Sequence, residues 1–377
     1  VVENDRPRID YTDSEDGVLL LEPSRSNLIS YSEDFSNSYW ALQRVSILSN
    51  NEIAPNGTLT ATKFTEDTSN DSHQTRPSSV ISLIIGQAYT FTCFAKKSER
   101  KEFRIENIGQ YGVYFDLENG TKVEDSVSQI INSEIKELSN GWYKCSVTIK
   151  ETSRTADYIY LQIAKDGSKS YQGDGSSGIY IYGCQVEQGS YATSYIPTQG
   201  TSQTRVQETA SGSGNSEVFN SEQGVLFADI KALSNSSADR RISISDGTIS
   251  NRIFFYYTPN SDQVSVIVVS GGATQVNIPI LDLQAKNNKF AIKYKINDVS
   301  FWVNGFEIGT DVVATMPSNL SELAFDDGGG SNNWYGKTKE ISYYDEVLTD
   351  LELETLTSYR TWEAMVKELN LNIIHNE

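Results

Sequence analysis

The feature that most constrains this chain is a short repeating period. Alternating apolar and polar runs recur, each closed by a cluster of Gly, Asn, Asp or Ser, the pattern of strands joined by tight turns. QAYTFTCFAKK (87–97), EFRIENI (102–108), YGVYFDLENG (111–120), NGWYKCSVTIK (140–150), DYIYLQIAK (157–165) and SGIYIYGCQVEQG (177–189) all read this way. After a stretch holding Pro197 and the Ser/Gly-rich run Ser211–Ser216, the period restarts. GVLFADIKAL (224–233), RRISISDGT (240–248), NRIFFYYT (251–258), QVSVIVVSGG (263–272) and KFAIKYKINDVSFWVNGFEIGT (289–310) continue it. No long helical pattern interrupts, so sandwiches are expected rather than a parallel α/β sheet. Asn304-Gly305, between FWV and FEIG, is a type I′ hairpin signal, and Asn297-Asp298 marks the turn before it.

The pattern predicts an all-β chain: two antiparallel β-sandwich domains in tandem with a short C-terminal helix. The expected division is an extended N-terminal segment over 1–26 and a first sandwich over 27–205. A Ser/Gly linker over 206–220, a second sandwich over 221–357 and a helical tail over 358–377 follow. Thr349 and Glu352 form a capping box ahead of LELETL. Beyond it, Tyr359, Trp362, Val366, Leu369 and Ile373 share one helical stripe, which either packs on the second sandwich or brings copies of the chain together.

Charge and composition exclude several functions. The 377 residues carry 31 Lys+Arg against 50 Asp+Glu, a net charge of −19. Phosphate backbones and anionic membranes need a basic face, so nucleic acid is not an expected partner. The longest apolar runs, VLLLE (18–22) and VSVIVV (264–269), are too short to span a bilayer, and no membrane insertion is expected. Cys93, Cys145 and Cys184 are odd in number and form no complete disulfide framework. They read as inert thiols of a chain made in a reducing cytoplasm. With only His73 and His375, no Ser-His-Asp or Cys-His arrangement assembles, and H-E-x-x-H, paired C-x-x-C and P-loop motifs are absent. Carboxylates are plentiful, but the E-x-D-x-x-E of sandwich glycanases is missing, as are the R-x-E-L-R and Q-I-H of jelly-roll lyases. The inventory favours binding over catalysis.

The run from Arg6 to Trp40 reads R-I-D-Y, then L-L-L-E-P-x-R-x-N-L, then Y-S-E-x-F-x-x-x-x-W. It resembles the opening of a large family of bacteriophage virion proteins of tails, fibres and decorations. In that family a carbohydrate-binding-like jelly roll is followed by a concanavalin A/laminin-G-like sandwich. K-Y-K-x-N-D-V-S-F-W-V-N-G (293–305) and Y-G-K-x-K-E-I-x-Y-Y-D-E-x-L-T-D-x-E-L (335–353) resemble the second of these. The resemblance implies two jelly-roll-type sandwiches and a non-catalytic protein displayed extracellularly on the virion surface. It implies host cell-surface polysaccharide and other virion proteins as partners, and a homotrimer. Two alternatives stay open: a polysaccharide depolymerase with an unfamiliar carboxylate site, and a purely structural spacer.

Sugar sites on sandwiches need flat aromatic faces beside Asn, Asp, Gln and Arg. Trp142 and Trp302 lie in strand runs and read as core, and Trp40 reads as pinning its segment to the first sandwich. Trp334, with Asn332 and Asp327, sits in the Gly/Asn-rich stretch FDDGGGSNNWYG and is a glycan-binding candidate. In the first sandwich the candidates are Tyr171, between Asp166-Gly167 and Asp174-Gly175, and His73 in the polar stretch EDTSNDSHQTRP. Asp326 and Asp327, beside the carbonyls of Gly328-Gly329-Gly330, are candidate Ca²⁺ ligands.

Overall fold

The computed structural model describes residues 7–12, 15–233, 238–260, 262–283 and 287–359. Its sheets are antiparallel, and the helix Asp350–Thr357 begins with the expected capping box between Thr349 and Glu352. No helix among the described residues is long and apolar enough to cross a membrane. Trp362, Val366, Leu369, Ile373 and His375 lie outside the described residues. The chain divides into two compact units. One is Ser24–Val206; the other runs from Gln207 onward and includes the segment before Ser24.

In the first unit, one sheet has the order Ile130–Glu137, Trp142–Lys150, Ala88–Lys97, Gly178–Gln188, Leu59–Glu66, Val45–Ile53. The other has the order Thr121–Glu124, Gly112–Asp116, Glu102–Asn107, Ile159–Ala164, Asn70–Pro77, Ser170–Gln172, with Trp40–Gln43 also on Asn70–Pro77. Alternation decides what enters the core: Phe103, Ile105, Val113, Phe115, Leu161 and Ile163 meet Phe91, Val147 and Ile181. The Trp40 indole donates to the Tyr31 carbonyl at 2.8 Å and holds its segment in place. Cys145, Cys93 and Cys184 stand at register-matched positions on three neighbouring strands. All three thiols are free and buried, and burial pushes their pKa values up.

The second unit pairs a seven-stranded with a five-stranded sheet. The larger has the order Ile9–Asp10, Val18–Leu21, Gly336–Tyr344, Gln223–Ala232, Asn288–Lys295, Val299–Val303, Phe306–Asp311. The smaller has the order Ala273–Ile280, Val264–Ser270, Arg252–Tyr257, Arg240–Ser245, Glu322–Ala324. Asn304 and Gly305 take φ of 52° and 90°, the left-handed pair a type I′ hairpin requires.

The opening of the chain does not stay with the sandwich that follows it. Val18–Leu21 pairs with Gly336–Tyr344, Leu19 opposite Thr338 and Leu21 opposite Gly336. In sequence, Ser24–Val206 is therefore an insertion within the chain path of the second sandwich. Residues 207–220, expected as a linker, also belong to the second unit. Glu208 and Phe219 are buried there, Ser213 bridges Leu323, and the Phe325 N–H donates to the Ala210 carbonyl at 2.8 Å. Ser and Gly cannot fill a core, but their backbone still pairs. The Arg8 guanidinium ties both ends, donating to the buried carboxylates of Glu22 and Glu208 at 2.6 Å each. Burial opposes its charge, yet the two carboxylates raise its pKa.

Candidate functional site

The sequence-predicted residues land mostly inside. Trp334 is fully buried in the second core, its ring 5.1 Å from Tyr257 and its indole N–H 3.2 Å from the Thr338 hydroxyl. It offers no face to a ligand, which corrects its assignment as a sugar platform. The cause is local: the Trp334 N–H donates to the Phe325 carbonyl at 2.8 Å, closing the Gly-rich turn and sending the ring inward.

Asp327 is also buried. Its carboxylate accepts from Asn332 Nδ2 at 2.9 Å and the Gly329 N–H at 3.0 Å. It lies 3.7 Å from Arg241 and 4.0 Å from Arg252. Burial would raise its pKa, but these donors and the Arg252 charge pull it down. A carboxylate facing two guanidiniums is the electrostatic opposite of a calcium ligand. Asp326 turns to the Gly328 N–H at 2.7 Å. Among the described residues, no three His, Cys, Asp or Glu side chains gather as a metal site.

Tyr171 and His73 do come together, with ring centroids 4.8 Å apart, but both are buried. His73 lies in the strand Asn70–Pro77 and not in a loop. Its Nδ1 is 2.9 Å from the Arg44 carbonyl and its Nε2 3.3 Å from that of Tyr171. The Tyr171 hydroxyl donates to Glu66 at 2.6 Å, and Glu66 also accepts from Arg100 and the Asp174 N–H. This is a buried network that fixes the turn at Asp174. The direct sugar-contact role read for the pair is corrected by strand parity, which turns His73 inward.

The network makes acid stability predictable. Burial would raise the pKa of Glu66, but Arg100, Tyr171 and Asp174 hold it below its ordinary value. Burial acts likewise on Glu151, where the Tyr111 hydroxyl and the Ser153 and Thr152 donors hold it at about 2. A depressed carboxylate contributes stability that is full above its unfolded value, 4.5, and lost as pH falls through the folded value. The melting temperature of the first sandwich is therefore expected to fall steadily from pH 4.5 towards pH 2. A Glu151→Gln variant should show a shallower fall, measurable by calorimetry across that range.

What the sequence reading missed is the other face of the His73 sheet. Register places Tyr114 opposite Arg104, Arg104 opposite Gln162, Gln162 opposite Gln74, and Gln74 opposite Gln43. One row on the face away from the core thus crosses five strands, with Arg104 and Gln162 buried within it and Tyr114, Gln74 and Gln43 reaching solvent. The Arg104 guanidinium stacks on Tyr114 at 4.2 Å and donates to Glu106 at 2.8 Å and to both Asp125 oxygens at 2.5 and 3.2 Å. Lys169 closes on Glu106 at 2.7 Å. Gln162 donates to Gln74 at 2.6 Å, and Gln74 to Gln43 at 2.7 Å. Gln162 is buried and its Oε1 has no donor. Tyr158 and Tyr160 border the row, rings 5.9 Å apart. Burial works against the Arg104 charge, but Asp125 and Glu106 outweigh it and raise its pKa. The usable signal was the off-core parity of EFRIENI and DYIYLQIAK, which carries Arg104, Glu106, Tyr160 and Gln162 in place of small surface residues.

No family model matches this sequence, and no curated protein does. Among solved structures, the CBM40 of the Ruminococcus gnavus IT-sialidase is 19% identical, covers 40% of this chain and 97% of its own, and has a TM-score of 0.34. The leech intramolecular trans-sialidase is 17% identical over 41% of this chain and 27% of its own, with a TM-score of 0.34. Domains LG4-5 of the mouse laminin alpha1 chain are 12% identical over 73% of this chain and 86% of their own, with a TM-score of 0.26. At scores this low, no residue of this chain takes a role from them.

Proposed function

We propose that this chain is a non-catalytic glycan-binding protein of a virion surface, and that the first sandwich meets sugar along Tyr114, Gln74 and Gln43, which the buried Arg104 and Gln162 hold in place. The observation that carries the reading is that row. Sugar hydroxyls are both donors and acceptors, and amides supply both functions in fixed positions. Tyrosine faces beside them suit the apolar faces of sugar rings. Against the opposing effect of burial, Arg104 keeps the Asp125 pKa low, which makes that carboxylate an acceptor and a poor general acid.

The virion setting, the host cell-surface polysaccharide, the other virion proteins and the homotrimer rest on the resemblance of the 6–40, 293–305 and 335–353 motifs. Trimer display would raise avidity where one shallow site binds weakly. A glycan array probed with the intact chain and a Gln74→Ala, Gln162→Ala double variant tests the site. Losing the Gln74 contact together with its Gln162 support is expected to weaken binding about tenfold or more. Unchanged binding in a folded double variant would remove the row from the reading. Release of oligosaccharides from the bound polysaccharide would replace the binding function with an enzymatic one.

A further inference from the structure

We infer that Arg76, with Tyr158 and Tyr160, forms a subsite on the same sheet face for a sugar bearing a carboxylate; this rests on the glycan-binding reading above. Arg76 follows Gln74 by two residues on Asn70–Pro77 and so shares its outward parity. The guanidinium lies 4.1 Å above the Tyr158 ring, and Tyr160 stands edge-on to Tyr158. All three side chains are partly exposed and reachable from solvent.

The charge pattern of the face singles Arg76 out. Arg104 is taken up by Glu106 and Asp125, and Lys169 by Glu106. Arg76 makes no ion pair among the described residues; its one hydrogen bond goes to the neighbouring Pro77 carbonyl at 2.9 Å. A guanidinium carries five N–H donors in a planar fork that matches a carboxylate. Stacking on Tyr158 fixes the plane of that fork without consuming its donors. On the adjacent edge strand its register partner is Ala41, a methyl group that leaves space beside it. A net charge of −19 repels anions at long range. That repulsion is screened beyond about 8 Å at physiological salt, whereas a direct contact is not. Flat tyrosine faces beside the fork select an anion carried on a ring.

The test compares matched sugars that differ only at C6. Glucuronate with glucose, and galacturonate with galactose, are titrated into the full chain and followed by NMR. Each uronate is expected to bind about tenfold more tightly than its neutral partner. Arg76→Gln should erase that difference, and Arg76→Lys, which keeps charge but not the fork, should restore part of it. Equal binding of acid and neutral sugars, or a preference that survives in Arg76→Gln, overturns the subsite. In either case the glycan-binding reading stands if neutral sugars still lose affinity in the Gln74→Ala, Gln162→Ala variant. Inorganic phosphate binding as tightly as the uronates would make this a bare anion site and also overturn it. No binding by any sugar ends both readings.

Discussion

Removing residues 1–23 is expected to unfold the second sandwich and leave the first intact. Val18, Leu20 and Leu21 are 8%, 6% and 5% exposed in the sheet of the second unit. Fully burying one such side chain is worth about 1.5–3 kcal/mol, so the three together contribute roughly 5–9 kcal/mol. That is comparable with the whole stability of an ordinary domain, about 5–15 kcal/mol. The loss also strips Gly336–Tyr344 of one of its two neighbouring strands and leaves Glu208 without Arg8. Calorimetry of the intact chain should resolve a transition that disappears on truncation, while the other keeps its midpoint. If both transitions survive unchanged, the segment contributes nothing to the second sandwich. A milder form of the same experiment is Arg8→Ala. It leaves the buried Glu208 carboxylate without its guanidinium partner, at an expected cost of about 3–5 kcal/mol.

Why that connection was invisible in sequence is instructive. Strand identity was legible because burial of one face imposes a period of two, and EFRIENI or NRIFFYYT carries that period on its surface. The hairpin at Asn304-Gly305 and the cap at Thr349 were legible because each is fixed by the chemistry of neighbouring residues. VLLL has no such local determinant of partner. It fits the edge of either sandwich, and only long-range packing selects Gly336–Tyr344. Parity also tells which residues leave the core without telling which of them converge. Arg104, Gln162 and Gln74 are far apart in sequence and meet only through register. Conversely, the polar neighbours of His73 hid an inward-facing position in a strand.

Trp334→Ala is expected to destabilise the second sandwich by about 3–5 kcal/mol, the range for a large buried ring cut to a methyl. The ring touches Tyr257 and the cavity would open within the core shared by Phe290 and Tyr294. The space is tightly filled: a Cβ built on Gly336 would stand 2.4 Å from the Trp334 ring and 2.6 Å from the Lys231 carbonyl. Gly336→Ala should therefore destabilise the same unit by overpacking, typically by about 1–3 kcal/mol. A loop tryptophan that served as a sugar platform behaves oppositely: its removal costs affinity and leaves the fold unchanged. Denaturant unfolding followed by circular dichroism, alongside glycan binding by the same variant, separates the two. The expected result is an earlier second-sandwich transition with glycan binding at the first sandwich preserved. Stability equal to the parent with lost binding would return Trp334 to the surface and to the sugar.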